Sequence, residues 1–301
     1  MATETPDVVS ISVLTPAQGN VPTSEKIFED GPVQSKGQQP DTHPNPQNQV
    51  KKSGSKFNRM HTHLSSPIRV DIVAEIELLI ITFCTGIQDV TTFPDYHCFA
   101  SNQTGNTVML AMAVLLPGAT HDLFITANIG MSLGCFLLAG YLTGQLSHII
   151  GPRNRAWIVF CNFFQTGLVF IAAALQYSYG VHVEGTHTVI IIGLLAFAAG
   201  SQVVLSRSLG MTEISTAMAT AAWVDLLIDK NLLALRNRPR TRRASFLAAL
   251  VAGAFFGAYI YREVGSETAL LLSAAGKLVV TIMFLFNGVE KPKPSVSRAS
   301  V

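Results

Sequence analysis

The stretch "CFASNQTGNTVMLAMAV" (Cys98–Val114) runs from small amides, hydroxyls and glycine (Ala100–Thr107) directly into an apolar segment, with no charged residue anywhere in it. The apolar part, Thr104–Leu116, stops at Pro117-Gly118. As a helix rising about 1.5 Å per residue it reaches about 20 Å, short of the roughly 30 Å of a hydrocarbon core. Amides in such a place are tolerated where the chain folds back and lines protein instead of lipid. The stretch is therefore predicted to be a re-entrant half-helix.

Six other segments have the length to cross: Val73–Phe93, Leu123–Leu146, Ala156–Gln176, Thr188–Ser206, Ala244–Tyr261 and Thr268–Asn287. A second short piece, Thr212–Ile228, is interrupted by Asp225. The expected fold class is an all-α integral membrane protein of six transmembrane helices plus two re-entrant or broken half-helices. The alternative is eight crossings.

Composition agrees with a membrane. Of 301 residues 49% are hydrophobic and 13% charged, against about 25% charged in soluble proteins. Residues 1–70 differ, holding eight of the fourteen prolines and much Ser, Thr, Gln and Asn, and are predicted to be a disordered tail. No apolar h-region opens the chain, so the first span is expected to act as the insertion signal. A second short tail, 289–301, follows the membrane domain 71–288. A net charge of +2 gives no case for nucleic acid. Cys84, Cys98, Cys135 and Cys161 are far apart and read as small apolar side chains. The histidines have no metal-ligand spacing, and His61 and His63 read as solvated tail residues. No cofactor is expected.

Lysine and arginine near span ends collect on the cytoplasmic side. They occur before the first span (Lys51, Lys52, Lys56, Arg59, Arg69), at Arg153 and Arg155, over Lys230–Arg243, and at Lys291, Lys293 and Arg298. With six crossings all four groups fall on one side, so both termini are expected in the cytoplasm. With eight, the Arg153 turn moves to the other side.

Self-comparison finds three matches in the same order. "FCTGIQDV" (Phe83–Val90) matches "FAAGSQVV" (Phe197–Val204) at an offset of 114, Thr104 matches Thr220 at 116, and "GYLTG" (Gly140–Gly144) matches "GAFFG" (Gly253–Gly257) at 113. Each copy (71–178 and 186–288) holds an odd number of crossings, so the second is inverted with respect to the first. Eight crossings would make the repeat parallel. Inverted repeats place a solute site near the midplane, where interrupted helices free backbone groups.

"GIQDVTTF" followed by "FASNQTGNTVML", with "GYLTG" and the later "GSQVV", resembles the YoaK family of uncharacterised multi-pass membrane proteins, and in particular a fungal-type member with a long N-terminal tail. The resemblance runs from about Ile76 to Phe286, and Thr104-Gly105-Asn106 is its most specific element. It implies an architecture and a membrane location, and no substrate. The family's second half usually repeats a Thr-Gly-Thr motif where this chain has Thr220-Ala221-Ala222.

The candidate solute-binding residues are Gln88, Asp89, Asn102, Thr104, Gly105, Asn106, Gln202, Thr220, Asp225 and Lys277. Asn102, Thr104 and Asn106 supply donors and acceptors at a helix start, whose free N–H groups suit an anion. The competing reading is capping by Asn102 or Thr104 and packing at Gly105. Asn102-Gln103-Thr104 is also a glycosylation sequon. An ionised Asp or Lys at mid-span costs about 3 kcal/mol on insertion scales and normally faces a partner or water. Lys277, ten residues into the last span, therefore needs an acid or an anion, and Asp225 and Asp89 are the acids available. Gln202 repeats Gln88. Asn162 and Gln165 are expected to bond to a neighbouring helix, and Trp157, Tyr177 and Tyr179 to anchor at interfaces.

No GxSxG, HExxH or P-loop is present. The expected activity is secondary transport of a small polar or anionic solute rather than enzymatic. The partners are the lipid bilayer and that solute, and oligomeric state is open. A channel, a scaffold or a membrane-embedded enzyme are the alternatives.

Overall fold

A computed structural model describes residues 63–116, 124–234 and 236–290. Residues 1–62 and 291–301, which hold most of the expected tails, lie outside the described residues, as does Pro117-Gly118. Among the described residues the fold is all helical: α1 Ile72–Tyr96, α2 Gln103–Leu115, α3 Thr126–Ile150, α4 Arg155–Tyr179, α5 Thr186–Ser208, α6 Ala219–Leu227, α7 Arg238–Glu263 and α8 Ser266–Phe286. Six of these are long, and α2 and α6 are short, at 13 and 9 residues. Five (α3, α4, α5, α7 and α8) are long and apolar enough to cross a membrane. The first, α1, matches them in length but carries Glu75, Glu77, Asp89 and Asp95. The protein is an all-α, multi-pass membrane protein.

Helix ends differ from the hydropathy reading where caps, not apolarity, set them. Asp71 accepts from the N–H groups of Val73 and Ala74, Asn154 from Ala156, and Asn237 from Arg240, with Pro239 just after. Such side chains satisfy N–H groups that the first helical turn leaves free. Asn237 thus starts α7 six residues before the expected Ala244, and its basic first turns are helical. The piece expected over Thr212–Ile228 is helical only from Ala219. Before it the chain turns through Thr216, which has φ +58°.

The same three caps mark one end of the bundle. There Ile68 N–H donates to Arg153 O (3.0 Å) and Arg69 N–H to Gly288 O (3.0 Å). Glu75, in the first turn of α1, receives Arg238 (2.6 Å) and Arg242 (2.5 Å) from α7. The described arginines of three of the basic groups (Arg69, Arg153 with Arg155, and Arg238 with Arg242) thus gather at one end, while Lys291, Lys293 and Arg298 lie outside the described residues. It follows that α1, α4 and α7 start at this basic end, whereas α3, α5 and α8 finish there. The remaining ends meet opposite, where Asp95 near the end of α1 accepts from Gln176 of α4 (3.0 Å) and Tyr261 of α7 (2.8 Å).

The expected tail also ends earlier than residue 70. Pro67 and Ile68 bridge to Asn154 and Val289, and Ile68 is fully buried. His63 is exposed, as expected, and also contacts Arg155 Nη1 and the carbonyl of Leu285 (3.1 Å).

Helix pairing follows two matching sets. α1 packs chiefly on α7 and α5 on α3, while α8 lies against α1 and α4 against α5; α4 and α8 face each other across the centre. Close approach depends on glycine. A Cβ on Gly253 would strike the backbone of Phe83, one on Gly86 the carbonyl of Leu250, and one on Gly200 the carbonyl of Phe136. Gly86 and Gly200 are the matching glycines of the two sequence copies. The first small-residue pair is looser, since a Cβ at Gly144 would meet nothing within 4 Å.

Gly253→Val is expected to lower stability by about 1–3 kcal/mol through overpacking against a backbone that cannot yield, and Gly144→Ala to leave it nearly unchanged. Thermal unfolding of the purified protein in detergent compares the two. Single cysteines at Arg153 and Leu233, introduced with the native thiols replaced, should label from the same face of the membrane, and one at Glu184 from the other.

Candidate functional site

Four helices change character at the same depth. Near the basic end Leu78 and Ile81 (α1), Ile158 and Cys161 (α4), Leu205 (α5), and Val280 and Phe284 (α8) form one apolar cluster. Toward the opposite end Tyr96 (α1), Val169 and Ala172 (α4), Leu195 and Ala198 (α5), and Leu270 and Ala274 (α8) belong to a second. Between them each helix carries buried polar groups: Thr85 and Gln88, Gln165 and Thr166, Ser201 and Gln202, Ser273 and Lys277.

These groups satisfy one another. Lys277 Nζ donates to Gln202 Oε1 (2.5 Å), and Gln202 Nε2 to Thr85 Oγ1 (2.8 Å). Gln88 Nε2 donates to Ser273 Oγ (2.8 Å), which donates to the carbonyl of Cys84 (3.0 Å). Gln165 Nε2 and Thr143 Oγ1 both donate to Ser201 Oγ (2.9 Å each). Lys277 is 3% exposed. A cavity beside this layer, about 10 Å³ next to Asn162, Gln202 and Ser206, is about the size of one water.

The structure brings Gln88, Gln202 and Lys277 together in this layer. Asp89, next to it on α1, accepts from Ser101 N–H (3.0 Å) and Ser101 Oγ (2.5 Å), and so holds the fold-back that precedes α2. The Lys277 ammonium attracts this carboxylate through space without forming a close ion pair. Lys277 does not pair with Asp225. Asp225 lies half exposed on α6 and pairs with Arg243 (3.6 Å) at the basic end, because α6 is too short to carry it inward.

The opening stretch is a built turn. Asn106 is fully buried. Its Oδ1 accepts from Phe99 N–H (2.9 Å), and its Nδ2 donates to Phe99 O (2.8 Å), Gln103 Oε1 (2.9 Å) and Ser132 Oγ (3.0 Å). One side-chain amide thus pairs with the backbone as a strand would. Asn102 caps α2 through Gly105 N–H (3.4 Å), and a Cβ on Gly105 would press on the Phe99 ring. Asn102 and Thr104 are exposed. Asn102 thus caps α2 and Gly105 packs on Phe99, while Gln103 and Asn106 tie the turn to Ser132 of α3.

Thr220 is exposed on α6, which buries only Ala222. Asp225 lines a cavity of about 130 Å³ at the basic end with Arg207, Glu213 and Arg243. Asp229, in the following loop, is held below the usual carboxylate range by the N–H of Asn231 and then by the Asn237 amide. The ten candidate residues thus divide among three places: the central layer, the turn before α2 toward the far end, and α6 at the basic end.

Several contacts differ from expectation. Gln165 reaches a neighbouring helix, whereas Asn162 bonds back to the carbonyl of Ile158 (2.9 Å). Trp157 is buried and donates to Ser147 Oγ (2.8 Å), so it is no interfacial anchor. Tyr177 and Tyr179 are exposed. Sequence reasoning passed over Ser273, Thr85, Ser201 and Glu77. Single hydroxyls carry no periodic signal, but Glu77, an acid four residues inside an expected span, was a legible one.

The family model "Protein of unknown function (DUF1275)" matches residues 78–283, more than half of the chain. The chain belongs to this family, as the motifs around Thr104-Gly105-Asn106 implied. No curated protein and no solved structure matches it.

Asn106→Ala strips the Phe99 N–H of its partner, leaves the Phe99 carbonyl to Ser132 Oγ alone, and is expected to cost about 1–3 kcal/mol. Thr104→Ala, at an exposed position, should change the melting temperature little, and paired melts in detergent make the comparison.

Proposed function

We propose that the protein is a secondary transporter of a small polar or anionic solute, with its site at the midplane between two inverted repeats and its basic end in the cytoplasm. The observation that carries this reading is Lys277. Its ammonium sits between two apolar clusters, and among the described residues no acid pairs closely with it. A cation placed so deep costs about 3 kcal/mol on insertion scales, and such groups mark solute and ion pathways.

The helix directions support the inverted arrangement. α1 leaves the basic end and α5 arrives there, yet the two use matching glycines against matching partners. The short helices enter from opposite ends, α2 from the far end and α6 from the basic end. This is the geometry of a carrier built from two halves of opposite sidedness. Arginine at one end supports a cytoplasmic basic end, since positive charge near span ends is retained on that side.

The packed centre favours a carrier over an open pore. Its bond acceptors and donors are occupied by each other, so a solute with complementary groups would replace the bonds among Lys277, Gln202 and Gln88 as the halves separate. An anion or zwitterion suits the lysine. The reading needs no enzymatic step, because the central groups are amides, hydroxyls and one amine.

The test has two stages. A thermal-shift screen of small anionic and zwitterionic metabolites should find a compound that raises the melting temperature with increasing concentration, as binding to the folded state requires. Proteoliposomes should then exchange that compound by saturable counterflow. Lys277→Ala should insert normally and reduce counterflow to background. Unchanged counterflow in this variant would remove Lys277 from the site, and linear conductance would replace the carrier with a channel.

A further inference from the structure

Glu77, in the second turn of α1, is fully buried, and so is Arg155 at the start of α4. Asn287, just past α8, lies between them. Its Nδ2 donates to Glu77 Oε2 (2.7 Å), while its carbonyl accepts from Arg155 Nη2 (2.5 Å). Glu77 Oε1 and Asn287 Oδ1 are both buried and lack any hydrogen-bond partner.

The charged groups around this pair, Arg155 apart, are ion-paired with other residues. Arg69 pairs with Asp71, Arg238 and Arg242 pair with Glu75, and Arg153 pairs with Glu290. Arg155 turns Nη2 to the backbone carbonyls of Asn287 and Gly288 and Nη1 to His63, its buried Nε has no partner, and Asn287 stands between it and Glu77. Asp71, the acid that acts on Glu77 through space, repels a negative charge there. Among the described residues no ion pair includes Glu77. A buried carboxylate with one hydrogen bond and no ion-paired partner is too costly to persist.

We propose that Glu77 is a proton-binding site, occupied in this conformation, with Asn287 as its dedicated partner. A carboxylic acid and a carboxamide form a closed ring of two hydrogen bonds. The amide N–H donates to one acid oxygen, and the acid O–H donates to the amide oxygen. The first of these bonds is present, and the two bare atoms are the ones the second would join. One proton taken from water onto Glu77 Oε1 satisfies both. It leaves the pair neutral and ties α1 to the end of α8, where Arg155 holds the same residue. Loss of that proton sets two acceptor oxygens against each other and loosens the closure at this end. The inference rests on the Glu77–Asn287 pair alone and does not depend on the carrier reading.

Infrared spectroscopy of the purified full-length protein at neutral pH tests it. The wild type should show the carbonyl band of a protonated carboxyl, and Glu77→Gln, whose amide can complete the same ring, should lose that band while keeping its melting temperature. Asn287→Leu, which deprives the acid of both partners, should shift the band to higher frequency, and supplies the answer should Glu77→Gln fail to fold. A band that persists unchanged in Glu77→Gln, or that does not move in Asn287→Leu, would overturn the proposal. So would a melting temperature raised by sodium chloride but not by choline chloride in the wild type and by neither in Glu77→Gln, since the site would then hold a metal cation.

Discussion

Lys277 and the amides around it must be satisfied by one another, because the membrane supplies them with no water. This requirement organises the molecule. Four helices bring their polar residues to a common depth, and two apolar clusters seal that layer from either end. A lysine bonded to Gln202, itself bonded to Thr85, links α8, α5 and α1 into one unit. Removing any member leaves another buried group without a partner, which costs more than the bond itself contributes.

Close packing makes the layer possible. Amide side chains reach only a few ångströms, so α1 and α5 must lie near their neighbours. The glycines at 86, 200 and 253 allow backbone to approach backbone there. The same economy governs the turn before α2, where one asparagine serves both backbone groups of Phe99 and a serine of α3. Polar residues here act mostly as internal substitutes for water. Lys277 stands apart as a full charge that its neutral partner Gln202 does not cancel.

The ends of the bundle are built differently. At the basic end, helix caps and arginine–carboxylate pairs fasten α1, α4 and α7 to the loops, and the segment before α1 is drawn in against the α3–α4 turn and the chain after α8. At the other end α3, α5 and α8 start without a side-chain cap. Asp95 with Gln176 and Tyr261 supplies the main polar tie described there.

Much of the architecture was legible from the amino acids alone. Hydrophobic length separates six long helices from two short ones, since about 20 residues are needed to cross and neither short piece has them. The arginine groups indicate which loops share an end, and the spacing of "FCTGIQDV" and "FAAGSQVV" points to Gly86 and Gly200, both of which meet a neighbouring backbone. The amino acids also single out Gln88, Gln202 and Lys277, because polar groups in apolar spans are conspicuous. Partners were not legible. Nothing in linear order says that Lys277 meets Gln202 rather than Asp225, that Asn106 serves its own turn, or that Asn287 meets Glu77. Those pairings join residues far apart in the chain, and their choice depends on helix rotation and depth, which only the packing of all the helices together determines.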